Sequence, residues 1–178
     1  MTAENEMWAT LRRLTTARIG LKRSGASLAT APLLDFRLAH TRARDAVHDP
    51  LDEASLTTEL ANLGEPVISV ASAAEDRQSY LLRPDLGRCL GPGAEAALRP
   101  HRGVHDVVFV VADGLSARSV TSHSQPVVSQ AVTALRAEGW KIAPLVVVRH
   151  GRVAIGDEIA AALGATSVVV LIGERPGL

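Results

Sequence analysis

Apolar positions in the first third of the chain recur at helical spacing. Met7, Leu11 and Leu14 fall three and four apart within residues 7–23, a stretch that mixes apolar and basic positions. A second helix is predicted over Leu33–Val47. Thr30 can cap it, and Pro32 sits near its start, where a missing N–H costs little. Asp49-Pro50 breaks the pattern, and a third helix over Leu51–Leu63 ends at Gly64. The period then changes. Pro66–Val70 is a short β-branched run that reads as a strand, and Glu75–Leu82 reads as a helix stopped by Arg83-Pro84. Between Cys89 and Gly103, the residues Gly91, Pro92, Gly93 and Pro100 predict an irregular connection.

The last third is the most regular. Asp106–Ala112, Ile142–Val148 and Ser167–Ile172 are nearly continuous apolar runs of strand length. A short helical turn is expected over Ser116–His123. A helix is expected to start at Ser124 and Pro126, to carry an apolar face of Val127, Ala131 and Leu135, and to end at Gly139. Asp157–Leu163 is a further helix, closed by Gly164. Strands this apolar must be covered on both faces, and strands alternating with helices form parallel sheets. The fold class predicted is therefore α/β: a parallel, Rossmann-like sheet covered by helices and preceded by an N-terminal helical region. The division expected is a helical region over 1–64 and an α/β region over 65–178.

In an open parallel sheet, ligands sit beyond the carboxyl ends of the strands. Three such ends can be read: Asp113-Gly114, Arg149-His150-Gly151-Arg152-Val153 and Gly173-Glu174-Arg175-Pro176. Parallel strands would place all three on one edge. That edge combines glycines, which let backbone approach a ligand, with charges of both signs and the free amides of helix N-termini.

Composition narrows the partners. Hydrophobic residues make up 47% of the 178 and aromatics only 3%, so small aliphatic side chains must fill the core. Basic and acidic residues both number 19, which removes any global electrostatic case for nucleic acid or an anionic membrane. The single cysteine, Cys89, cannot form an intrachain disulfide. With no apolar leader in Met1–Thr10 and no membrane-length apolar run, a cytoplasmic protein is expected.

Familiar chemistry motifs are mostly missing. No strand is followed by G-x-G-x-x-G, and there is no Walker A sequence. Gly114-Leu115-Ser116-Ala117-Arg118 lacks the last glycine of a nucleophile elbow and reads as a turn serine. Asp113 can hold its own turn or bind a ligand hydroxyl. His101 and His105 flank Gly103 in a loop, which is not how a helical metal pair is built. Cys89 reads as a buried, unreactive thiol. The basic cluster Arg12, Arg13, Arg18, Lys22 and Arg23 has no interleaved aromatics for base stacking and suits a protein partner or a solvated face.

An ordered set of segments resembles one family. Ala17-Arg18-Ile19-Gly20-Leu21, Arg23-Ser24-Gly25 and Leu38–Val47 are similar to the N-terminal part of the ethanolamine ammonia-lyase small (light) subunit. The likeness continues at Asp76-Arg77, Tyr80-Leu81, Arg83–Arg88 and Ala112–Ala117. It is densest at Gly151–Ile159 and at Ile172–Leu178. Lys22 and Ala29 depart from the pattern, which has glycine and proline there.

The resemblance implies a lyase subunit that is active only with a large subunit, in a hetero-oligomer. That enzyme converts ethanolamine to acetaldehyde and ammonia by adenosylcobalamin radical chemistry, in bacterial ethanolamine catabolism within a microcompartment. It implies cofactor contacts at Val153, the valine of Gly-Arg-Val-Ala, and at Glu174, the glutamate of Gly-Glu-Arg-Pro. It implies no catalytic residue here. With no Asp-x-His-x-x-Gly run, no ligand to cobalt is expected from this chain. The family's further cobalamin-contacting cysteine follows the Gly-Glu-Arg-Pro-Gly-Leu stretch, so a C-terminally truncated member is expected. From the residues alone, a non-catalytic interaction module and a stand-alone α/β nucleotide-binding protein remain open.

Overall fold

A computed structural model describes residues 3–174. The chain divides into two compact units between Asp45 and Ala46. The first holds α1 (Ala3–Arg12), a two-residue antiparallel pair β1 (Arg23–Ser24) and β2 (Ser27–Leu28), and most of α2 (Thr30–His48). The helical spacing read through Leu14 stops at Arg12. Thr15 Oγ1 accepts the Ala17 N–H at 3.1 Å, a local bond that competes with helix, and Gly20 turns the chain at φ 57°. Arg12 Nε donates to the Ile19 carbonyl at 2.9 Å, and its Nη2 donates to that of Gly20. The first third is thus helical only in part.

The second unit is built around four parallel strands: β3 (Val67–Ala71), β4 (His105–Ala112), β5 (Leu145–Arg149) and β6 (Ala165–Ile172), in the spatial order β3-β5-β4-β6. Regular pairing in β5 starts at Leu145 rather than Ile142. Pro144 has no N–H to donate, and Ile142 keeps only an isolated bridge to Val107.

Alternate residues of the strands divide between two apolar clusters, as the two-residue period requires. Ile68, Val70, Val108, Val110, Val146 and Val148 pack with Leu98 of α5 (Ala94–Leu98) and with Ile155, Ile159 and Leu163 of α7 (Ile155–Leu163). Val107, Phe109, Val111, Leu145 and Val147 pack with Leu56 and Leu60 of α3 (Glu53–Ala61) and with Val120, Val128 and Val132 of α6 (Ala117–Ala137). The sheet is therefore covered on both faces.

Two further elements differ from the sequence reading. The connection over 89–103 contains α5, masked by its flanking glycines and prolines. Gly93 takes φ 80° at its N-cap, and Ala94 and Leu98 are buried one turn apart. The stretch from 116 to 137 is one helix, not a turn followed by a helix. Its buried positions Ala117, Val120, Ser124, Val128 and Val132 keep one face through Pro126. Ser124 donates to the Val120 carbonyl at 2.6 Å. Packing of that face outweighs the roughly 3 kcal/mol that proline costs in a helix interior.

Strand order creates a switch point. From β4 the chain crosses by α6 to its neighbour β5 on one face. From β5 it crosses by α7 on the other face, passing β4 to reach β6. The connections leaving two adjacent strands go to opposite faces, the topology at which open sheets bind ligands beyond the carboxyl ends of their strands. None of the described helices is long and apolar enough to cross a membrane.

Pro126 is exposed in mid-helix, so Pro126→Ala restores a helix donor without disturbing the packed face. Urea denaturation should show a gain of about 1–3 kcal/mol. A loss would mean that the proline is held by a contact the helix needs.

Candidate functional site

The residues at the carboxyl ends of β3, β4 and β5 are joined by buried polar groups. Asp113, directly after β4, is 3% exposed. Its Oδ1 accepts the Gly151 N–H at 3.2 Å, and its Oδ2 lies 3.6 Å from Arg77 Nη1. Burial pushes its carboxyl above the ordinary aspartate range. His150, Arg77 and the backbone donors pull the other way without prevailing.

Arg77 is the first residue of α4 (Arg77–Leu82), after the cap Asp76, whose side chain accepts the Ser79 N–H at 2.7 Å. Arg77 Nε donates to the Val47 carbonyl and Nη1 to that of Gly114, both at 2.7 Å. The guanidiniums of Arg77 and Arg152 lie over the Tyr80 ring, 4.9 and 4.5 Å from its centroid. Tyr80 is 1% exposed, and burial raises its phenol pKa. Its hydroxyl donates to the Gly151 carbonyl at 3.3 Å. The Arg152 side chain donates to the Tyr80 carbonyl at 2.9 Å.

His150 has a left-handed backbone, φ 57°, and is the non-glycine residue found with positive φ among those described. Ser72 Oγ donates to its carbonyl at 2.7 Å, and its Nδ1 lies 3.2 Å from the Ala74 carbonyl. On the other side of β4, Leu115 donates its N–H to the Gly173 carbonyl at 2.6 Å, and Gly173 donates to Ala112 at 3.2 Å. The backbones meet so closely that a Cβ at Gly173 would collide with the Ser116 and Asp113 carbonyl oxygens.

Both predicted contact residues lie on this edge. Val153 follows β5 in the turn that opens α7 and is 62% exposed. Glu174 follows β6 and is exposed. Their strands flank β4 and are not paired with each other. The rest of the last motif, Arg175 to Leu178, lies outside the described residues.

Several other candidates resolve into structural roles. Ser116 caps α6, its Oγ accepting from the Ser119 N–H at 3.4 Å and from the Ser119 hydroxyl at 3.0 Å. Asp113 does more than hold its own turn: it ties β4 to the loop after β5. His105 Nε2 lies 3.3 Å from the His101 carbonyl, at the opposite end of β4. Among the described residues no three of His, Cys, Asp and Glu gather as metal ligands would.

Cys89 is exposed, not buried as expected, because it follows the short 3-10 turn Leu86–Arg88 in extended backbone. Desolvation by its surroundings, and then the Glu158 carboxylate, raise its thiol pKa more than Arg88 lowers it. The roles of Ser72, Arg77 and Tyr80 carry no sequence signal of spacing, since each acts on residues far along the chain.

Comparison with known proteins gives consistent matches. The sequence model of the ethanolamine ammonia-lyase light chain (EutC) family matches residues 5–178. The chain is 51% identical over 175 residues to the ethanolamine ammonia-lyase small subunit of Pseudomonas fluorescens (strain SBW25), covering 96% of this chain and 63% of that protein. It is 49% identical over 181 residues to the small subunit of Ralstonia nicotianae (99% and 67%) and 51% identical over 180 residues to that of Azotobacter vinelandii (99% and 67%). The chain thus spans 63% of the first of these relatives and 67% of the other two.

Two outcomes follow from the geometry. Gly173→Ala should cost more than about 2 kcal/mol in chemical denaturation, because carbonyl oxygens rather than flexible side chains obstruct the new Cβ. An unchanged midpoint would disprove the close approach. For Asp113, a raised folded pKa means that the native state holds the proton more tightly than the unfolded chain does. Its contribution to stability is then lost as pH rises from the unfolded value, about 3.9, through the folded one. The stability of the unsubstituted chain relative to Asp113→Asn should therefore fall as pH rises from acid towards neutral; a rise would reverse the sign assigned to the shift.

Proposed function

The chain belongs to the ethanolamine ammonia-lyase light chain family, and on that premise we propose that it assembles with the large subunit and helps hold adenosylcobalamin at their interface. The reaction proposed for the assembly is conversion of ethanolamine to acetaldehyde and ammonia. The observation that carries the reading is the convergence of Val153 and Glu174 on one carboxyl edge of a parallel sheet, at a switch point, with both side chains open to a partner.

The residues on this edge suit the cofactor's periphery. A corrin ring is rimmed by methyl groups and primary amide side chains. Val153 offers an apolar contact to the former, and Glu174 is a carboxylate that accepts hydrogen bonds from the latter. When bound, adenosylcobalamin supplies radical chemistry by homolysis of its cobalt–carbon bond. This chain's part is to bind and orient. Glu174 holds an amide donor, and Val153 excludes water from the apolar rim. The same reading places the assembly in an ethanolamine-utilisation microcompartment.

The test is co-expression of this chain with a tagged large subunit. The chain should co-purify, and adenosylcobalamin should then support acetaldehyde release from ethanolamine. A folded chain that fails to associate would sink the assignment of partner. In the purified complex, Val153→Asp should weaken cofactor binding about tenfold, since a carboxylate placed against an apolar rim costs ~1–3 kcal/mol. Glu174→Gln keeps an acceptor of the same shape and should weaken it by about fivefold or less. Absorbance titration at two or more enzyme concentrations reads both, and unchanged affinity in both variants would remove these residues from the cofactor site.

A further inference from the structure

Both peptide units between His150 and Arg152 are held from outside at their N–H and their carbonyl. The His150 carbonyl accepts from Ser72 Oγ at 2.7 Å, and the Gly151 N–H donates to Asp113 Oδ1 at 3.2 Å. The Gly151 carbonyl accepts from the Tyr80 hydroxyl at 3.3 Å, and the Arg152 N–H donates to the Gly87 carbonyl at 2.8 Å. Three of these four anchors are side chains only 1–3% exposed, drawn from the end of β3, from α4 and from the end of β4. Burying three polar side chains is costly unless each finds a partner, and all three find it in the same two peptide units.

The conformation they hold is not one the loop would keep alone. His150 at φ 57° takes the left-handed conformation that crowds its Cβ and that glycine enters without penalty. Gly151 is pressed against its surroundings, where a Cβ would lie 2.9 Å from a methyl of Val148 and 3.0 Å from the Ala112 Cβ. Strain of this kind persists only where the surroundings over-determine it. Immediately after the anchored stretch comes Val153, an exposed side chain in a turn, the kind of position that is usually mobile.

We propose that Ser72, Tyr80 and Asp113 are positioning residues: they hold the His150–Arg152 backbone so that Val153 is already ordered when it meets the cofactor. This rests on the reading of Val153 given above. The anchors touch no ligand themselves. They remove the ordering cost that a free loop would bring to binding.

The experiment uses Tyr80→Phe and Ser72→Ala, each of which deletes one hydroxyl and leaves the buried hydrocarbon in place, in the chain co-purified with the large subunit. Three quantities are measured: thermal unfolding of the complex, amide hydrogen exchange across residues 150–153, and adenosylcobalamin affinity by absorbance titration. Exchange at the loop is expected to accelerate about tenfold while core amides of β4 and β5 keep their protection. Affinity is expected to fall about fivefold, near the loss of one hydrogen bond. If exchange accelerates locally and affinity does not move, the loop's order is not used in binding and the proposal is overturned. If loop exchange is unchanged in both variants, the anchors do not hold the loop, with the same consequence. An affinity loss that merely tracks a loss of core protection assigns the residues a general structural role and also overturns it. If one variant fails to fold, the other carries the test. An unsubstituted complex that binds no adenosylcobalamin removes the reading of the edge itself, and this is seen before any variant is made.

Discussion

A parallel sheet has no face it can leave to water, and this requirement organises the second unit. Six consecutive residues of β4, Val107 to Ala112, are buried, and their side chains alternate between two helical layers. Because both faces need helices, the crossovers after β4 and β5 go to opposite sides. The same necessity that covers the core therefore makes a switch point at the carboxyl edge of these two strands. The edge is a consequence of packing before it is a site.

Beneath that edge lie polar groups that are buried. Asp113 loses hydration that Arg77 and the Gly151 N–H only partly replace, so burial dominates its titration. Arg77 is engaged in turn by the Val47 and Gly114 carbonyls and lies over the Tyr80 ring. Such a network is costly if any member is missing and specifies one arrangement when all are present. Here it joins the ends of β3, β4 and β5 with α4, which fixes the loop between β5 and α7. The exposed part of the edge, Val153 and Glu174, stands on this base without belonging to it. The division separates groups that hold the shape from groups that face a partner.

Much of this was legible along the chain, and the exceptions have physical causes. The strand runs were visible because a doubly covered strand is apolar at nearly every position. α5 was hidden because Gly91, Pro92, Gly93 and Pro100 crowd a helix of only five residues. Ser124 and Pro126 read locally as a helix start, but the buried face through Ser124 and Val128 makes them the interior of α6. Free thiols favour the interior, but the place of Cys89 after a 3-10 turn leaves it at the surface.

The sequence by itself determined the apolar strand runs, most of the helices, the parallel sheet and the edge on which Val153 and Glu174 lie. Those follow from continuous apolar runs of strand length, from the 3.6-residue helical period and from turn chemistry, which are local properties. Only the tertiary structure decided the order β3-β5-β4-β6 and the meeting of Ser72, Tyr80 and Asp113 on one loop. The bonds concerned join residues 78, 71 and 38 positions apart. A local pattern says which face of a strand is buried but not which strand lies beside it, because that choice is made by packing the whole core at once.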